Sequence, residues 1–103
     1  MFLIVLTTVK NRAEAKKISE ALVSEKLAAC VNMLPSVSSV YRWRGKVARS
    51  SEVMLIIKTS SKNLDKLMAR IKELHSYEVP EILALKVYRS LPQYLRWIDE
   101  SLV

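Results

Sequence analysis

Between positions 75 and 82 the chain reads His75-Ser76-Tyr77-Glu78-Val79-Pro80-Glu81-Ile82, bringing its only imidazole together with a phenol and two carboxylates. The segment falls where an apolar helical pattern ends and an apolar, strand-like run begins. Joints of that kind are usually built from Gly, Asn and Ser, which adopt turn geometry at little cost. His, Tyr and Glu in their place suggest a site. His75 would offer one borderline nitrogen to a metal such as copper, with Glu78 and Glu81 as oxygen partners. A structural reading stands beside it. Tyr77 and Pro80 can fix the re-entry of the chain into a sheet, while a protonated His75 bonds the last helical carbonyls and complements the dipole. The spacing His-x-x-Glu leaves both open, being a far weaker metal signal than paired Cys-x-x-Cys.

Other side chains could join such a site. Cys30 sits among Ala28, Ala29 and Val31, as a small buried hydrophobe or as a soft metal ligand. In a strand Cys30 and Met33 point to opposite faces and cannot serve one mononuclear site, whereas Cys30 and Asn32 share a face. Lys58, Glu52, Lys10 and Arg12 with Glu81 could line an anion pocket or form a solvated rim. Tyr41-Arg42-Trp43-Arg44 interleaves bases with aromatics as nucleic-acid binders do, but on a hairpin of an assembling protein Tyr and Trp more often anchor an interface.

The elements that must position these residues follow from composition and periodicity. A chain of 103 residues corresponds to one domain spanning 1–103. Half its residues are hydrophobic, yet no apolar run approaches the ~20 residues that span a bilayer. Met1 to Leu6 lacks a preceding basic region and a small-residue cleavage site, so it reads as a first strand and not a leader. A single cysteine forms no internal disulfide and suits a reducing, cytoplasmic setting. The net charge of +7 favours anionic partners.

Phe2 to Thr7 reads as a buried strand. Asn11 with Glu14 forms a capping box for a helix whose stripe is Ala15, Ile18, Leu22 and Val23. Leu27 to Leu34 is a second strand, interrupted by Pro35. Beyond it Val37, Ser39, Tyr41 and Trp43 alternate along one face of a long hairpin that turns at Gly45-Lys46 and returns to the strand Val53–Lys58. Ser60 or Ser61 caps a helix with Leu64, Leu67, Met68, Ile71 and Leu74 inward. Ile82 to Tyr88 is the last strand. Ser90 with Gln93 boxes a final helix, Pro92 in its first turn, with Tyr94, Leu95, Ile98 and Leu102 inward. The order β-α-β-β-α-β-α holds two right-handed β-α-β units, which make an α+β, ferredoxin-like split β-α-β sandwich with an extended β2-β3 hairpin and an added C-terminal helix. Helices cover one face of such a sheet, yet the strands read as apolar runs and not as alternations. The second face must therefore meet other copies of the chain.

Six signatures then fall in order: Thr7-Thr8; Lys26-Leu-Ala-Ala-Cys-Val-Asn32; Tyr41-x-Trp43-x-Gly45-Lys46; Glu52 leading to Lys58-Thr59; His75-x-Tyr77-Glu-Val-Pro-Glu-Ile82; and Tyr94-Leu-x-Trp-Ile98. Together they resemble the CutA family of divalent-cation tolerance proteins across nearly the whole chain. The resemblance implies a ferredoxin-like protomer in a homotrimer, a non-enzymatic role in the response to copper and other divalent metals, and a metal that folding does not require. The residues themselves, as read above, supply the metal set of His75, Glu78, Glu81 and Cys30, in a cleft or interface with Asn32, Tyr41, Trp43, Lys58 and Tyr77. Mammalian relatives are associated with membrane anchoring of acetylcholinesterase, and the trimer is similar in architecture to PII signalling proteins. Two alternatives follow: a PII-like module for a small anionic effector, and a structural trimer that anchors a partner. The family joint usually reads His-Pro-Tyr, so Ser76 implies a looser joint, and Thr7 and Leu74 stand where some metal-binding members carry Cys and His. Nucleic acid is not an expected partner, because Val53-Met-Leu-Ile-Ile57 has no aromatic platform. Arg12 and Asn32 superficially suit a phosphatase of acylphosphatase type, but the Gly-rich loop it needs is missing, since Gly45 is the only glycine.

Overall fold

The computed structural model describes all 103 residues. The elements are β1 (Phe2–Val9), α1 (Arg12–Ser24), β2 (Cys30–Trp43), β3 (Lys46–Ser60), a 3-10 turn at Ser61–Asn63, α2 (Leu64–Leu74), β4 (Leu83–Lys86) and α3 (Pro92–Ser101). The strands form one antiparallel sheet in the order β2-β3-β1-β4. This is the ferredoxin-like arrangement that the element order requires.

Register decides which side chains make the core. Leu3, Val5, Thr7 and Val9 of β1 lie on one face with Val53, Leu55, Ile57 and Thr59 of β3, and all are buried. Ala15, Ile18 and Leu22 of α1 and Leu67 and Ile71 of α2 pack onto that face. Each large aliphatic buried there contributes roughly 1.5–3 kcal/mol. The other face carries Ile4 and Leu6 of β1, Met54 and Ile56 of β3, and Leu83 and Leu85 of β4. Its β4 residues are about half exposed, at 55% and 49%. The single chain thus leaves uncovered the second apolar face that the strand composition calls for.

Strand β1 pairs with β3 only from Val53 to Ser60, so beyond Glu52 β2 and β3 pair only with each other as a protruding arm. The arm begins at a register shift between Leu34 and Val37, where Ser36 takes a left-handed φ of 60°. Its tip turns through Arg44 and Gly45, both at positive φ as a type I′ hairpin requires. The turn therefore lies one residue earlier than Gly45-Lys46, and Lys46 pairs with Trp43. Val40, Trp43 and Val47 are more than half exposed on this ribbon. Two strands alone are marginal in water, so the arm needs a covering surface.

Element ends depart from expectation for local reasons. The strand expected from Leu27 starts at Cys30, because the chain leaves α1 through left-handed Lys26 and the amides of Leu27 and Ala28 both bond the Leu22 carbonyl. Strand β4 is shorter than Ile82–Tyr88 because its partner β1 begins at Phe2; Tyr88 is almost fully exposed. Asn11 caps α1 by accepting the Glu14 amide at 2.9 Å, but the Glu14 carboxylate turns elsewhere, so the box is one-sided. Helix α3 starts at Pro92 after Leu91 with no side-chain cap, which leaves Ser90 outside it. Val23, Met68 and Tyr94, at the borders of their stripes, are partly exposed, whereas Ile98 is buried.

Candidate functional site

Helix α2 stops at His75, whose φ of −78° and ψ of 139° are extended while its amide still bonds the Ile71 carbonyl at 2.8 Å. The ring then turns away from the helix end and into the protein. Its Nε2 lies 2.8 Å from the Thr8 carbonyl oxygen, and its Nδ1 accepts the Tyr77 amide at 3.0 Å. A carbonyl can only accept and an amide only donate, so the network assigns a neutral ring with its proton on Nε2. His75 therefore does not complement the helix dipole as an imidazolium; it ties α2 to the end of β1.

Glu14 completes the joint from α1. It stands on the buried stripe, four residues before Ile18, and is 9% exposed. Its Oε1 accepts the Ser76 amide at 2.6 Å, its Oε2 accepts the Ser76 hydroxyl at 2.9 Å, and Oε1 is 3.7 Å from His75 Nδ1. Ser76, expected to loosen the joint, fastens it, because it supplies two donors where proline would supply none.

Tyr77 reaches the start of the arm. Its hydroxyl donates to Oε2 of buried Glu52 at 2.8 Å, and its ring lies 4.8 Å from that of His75. Burial foremost, then the hydrogen bond to Glu52 and that carboxylate's charge, with smaller contributions from Tyr41 and Glu14, push its pKa up to about 12. Tyr77 is thus a stable hydrogen-bond donor at neutral pH.

The expected metal set is not assembled within one chain. Glu78 and Glu81 are exposed, with neither a hydrogen bond nor an ion pair through their carboxylates. Both nitrogens of His75 are engaged, so the ring has no free lone pair to offer. Cys30 lies in the cross-strand row of Lys58 and Ile4, four residues along β1 from Thr8, or ~13 Å. No group of three or more His, Cys, Asp or Glu side chains converges on one point.

What does gather around Cys30 is a polar corner on the open face. The Lys58 ammonium donates to Asn32 Oδ1 and lies 4.0 Å from Cys30 Sγ, which is 3.8 Å from the same Asn32 oxygen. Tyr41 and Trp43 stand exposed on the arm, the Arg44 guanidinium 5.5 Å from the Trp43 ring centre. Lys10 and Arg12 are exposed and make no ion pair, so the anion pocket expected of them with Glu52 and Glu81 is not formed. From the sequence Glu14 reads only as a cap, and the Thr8 carbonyl has no role there. A carboxylate spaced i, i+4 with Ile18 on an apolar stripe was the available signal for Glu14; a backbone carbonyl leaves none.

A ferredoxin-like sheet with a long β2-β3 arm, an added C-terminal helix and this His-Tyr-Glu joint defines a narrow class of small α+β proteins. The family model described as CutA1 divalent ion tolerance protein matches residues 3–101, and the chain belongs to that family. It is 45% identical over 98 residues to the divalent-cation tolerance protein CutA of Thermus thermophilus, covering 95% of each chain. It is 44% identical over 99 residues to the chloroplastic CutA of Arabidopsis thaliana, of whose length it spans only 54%. The solved structure of the periplasmic divalent cation tolerance protein CutA from Archaeoglobus fulgidus is 36% identical and superposes with a TM-score of 0.97, each chain covered in full.

Proposed function

We propose that the chain works as a homotrimeric binding protein in divalent-cation tolerance, without catalysing a reaction. The observation that carries this reading is the uncovered apolar surface: the open sheet face together with the arm bearing Val40, Tyr41, Trp43 and Val47. A soluble monomer rarely exposes so much contiguous apolar surface, and the arm is long enough to lie across a neighbour. Copies that cover these surfaces also bring one chain's joint towards another's open face. Divalent cations, copper among them, are then ligands of the assembly and not parts of the fold. Glu78 and Glu81 of one copy are the donors left free; Cys30 of the next joins them by giving up its contacts with Lys58 and Asn32, and His75 by giving up one of its two bonds. The names of the Thermus and Archaeoglobus relatives support the cation assignment.

The test is calorimetric titration of Cu²⁺ into the wild type, Cys30→Ala and the double variant Glu78→Gln, Glu81→Gln. The reading expects stoichiometric binding that both variants weaken at unchanged oligomer mass. Equal affinity in all three would remove these residues from the metal site. A cytoplasmic location rests on the unpaired Cys30, although the Archaeoglobus relative is described as periplasmic. No helix is long and apolar enough to cross a membrane. A second reading, an effector module of PII type, is favoured by one observation: the Lys58 ammonium has no carboxylate partner.

A further inference from the structure

The arm joins the body along a line of weak attachment at Val53. That residue pairs with Val9, the last of β1, so Glu52 is the first residue of β3 on the arm side without a β1 partner. On the other strand Leu34 pairs with Met54 and Val37 with Glu52, which leaves Pro35 and Ser36 together opposite Val53. A bulge of this kind interrupts the ladder and bends the strand that carries it. Pro35 has no amide to donate, and Ser36 is left-handed, with a φ of 60°. The sheet therefore narrows to two strands where its ladder is broken, and a two-stranded ribbon has little stability of its own. The backbone supplies a hinge there and does not aim the arm.

Tyr77 is the side chain that reaches across this line, its hydroxyl 2.8 Å from Glu52 Oε2. Tyr77 is itself held fast before it touches the arm. Its amide donates to His75 Nδ1, its ring lies 4.8 Å from the His75 ring, and His75 Nε2 donates to the Thr8 carbonyl. The intervening Ser76 is bonded twice to Glu14 of α1. The arm root is thereby tied to the ends of α2 and β1 and to the first turn of α1. Glu52 is 7% exposed, so its carboxylate has given up most of its water and the phenol replaces part of it. We infer that Tyr77 and Glu52 form a latch that sets the direction of a hinged arm, and that the joint acts on assembly through it. The consequence for assembly rests on the trimer proposed above. An arm already aimed at its neighbour loses less freedom when it docks, and the docked state gains what the preorganisation saves. Tyr77 is thus a positioning residue, acting through Glu52 on the Tyr41 and Trp43 side chains farther along the arm.

The test combines nitrogen-15 relaxation with light scattering on dilution, for the wild type, Tyr77→Phe and Glu52→Gln. Tyr77→Phe removes the hydroxyl and keeps the ring beside His75, whereas Glu52→Gln keeps an acceptor oxygen for the phenol. In Tyr77→Phe the order parameters of amides between Ser38 and Ser50 should fall from about 0.85 to below about 0.6, with those of Val5, Leu55 and Ile57 unchanged. Glu52→Gln should stay close to the wild type. The Tyr77→Phe trimer should come apart at a concentration about tenfold or more higher, the factor that one lost hydrogen bond to a charged group predicts. A general loss of stability would not loosen the arm alone. Arm order parameters equal in the wild type and Tyr77→Phe overturn the latch. Loosening of the core amides along with the arm overturns it as well, because Tyr77 would then hold the fold as a whole. Glu52→Gln as loose as Tyr77→Phe assigns the arm's direction to the charge of Glu52 and not to the phenol's bond, which also overturns it. A monomeric wild type whose arm still loosens in Tyr77→Phe upholds the latch and overturns the trimer it would serve.

Discussion

Replacing Ser76 probes the joint most sharply, because one residue supplies both donors to a buried carboxylate. Glu14 accepts the Ser76 amide at 2.6 Å and its hydroxyl at 2.9 Å while it is 9% exposed. A hydrogen bond to an ionised group is worth about 1.5–3 kcal/mol. Ser76→Ala removes only the hydroxyl and should cost about 1.5 kcal/mol, the low end, because the amide still serves Glu14. Ser76→Pro removes both donors, about 3–6 kcal/mol, offset by roughly 0.4–1 kcal/mol from the stiffer unfolded chain. The net expectation is a loss of about 2–5.6 kcal/mol. Strain at the preceding residue does not contribute, since His75 already has the extended φ and ψ that a following proline demands. Urea unfolding at one fixed protomer concentration measures both variants, which matters because assembly makes apparent stability concentration-dependent. A double-mutant cycle with Glu14→Ala isolates the pair: in that background Ser76→Ala should cost close to nothing. A Ser76→Pro protein as stable as the wild type, or an undiminished cost of Ser76→Ala without Glu14, would refute the role given to this contact.

Tyr77 predicts a pH dependence. Its folded pKa of about 12 lies above the ordinary value of 10.0, so its neutral form stabilises the fold. That contribution is fully present below pH 10 and is lost as pH rises towards 12; the wild type should lose stability across this interval more steeply than Tyr77→Phe. Parallel curves for the two proteins would contradict the assignment. On the arm, Tyr41→Ala with Trp43→Ala should weaken assembly by several kcal/mol, on the order of two buried aromatic anchors. Dilution followed by light scattering checks this, and a double variant still trimeric at nanomolar concentration would remove the arm from the interface. Nitrogen-15 NMR of His75 should show the neutral tautomer protonated on Nε2; an Nδ1-protonated ring would break the link to Thr8.

Much of the fold was legible because hydrophobic periodicity and element order are written locally. Ile18 and Leu22, Leu67 and Ile71, and the paired apolar runs of β1 and β3 fixed the helices and the sheet. Ends were less legible, since Lys26 leaving α1 at positive φ and β4 stopping where β1 begins depend on partners distant in sequence. The joint was found as a chemical cluster, yet its wiring was not. Nothing in the sequence says that His75 turns to a Thr8 carbonyl or that Glu14 chooses Ser76 over its own cap. The separation of Cys30 from His75 was equally hidden, because it depends on which row of the sheet each one meets.

Light scattering of the purified protein at micromolar concentration, without metal, tests the central claim that the open sheet face and the arm are covered by copies of this chain. The account predicts a mass three times the 11.8 kDa of one chain. A mass of one chain under these conditions would contradict it, and with it the intersubunit cleft on which the metal site depends.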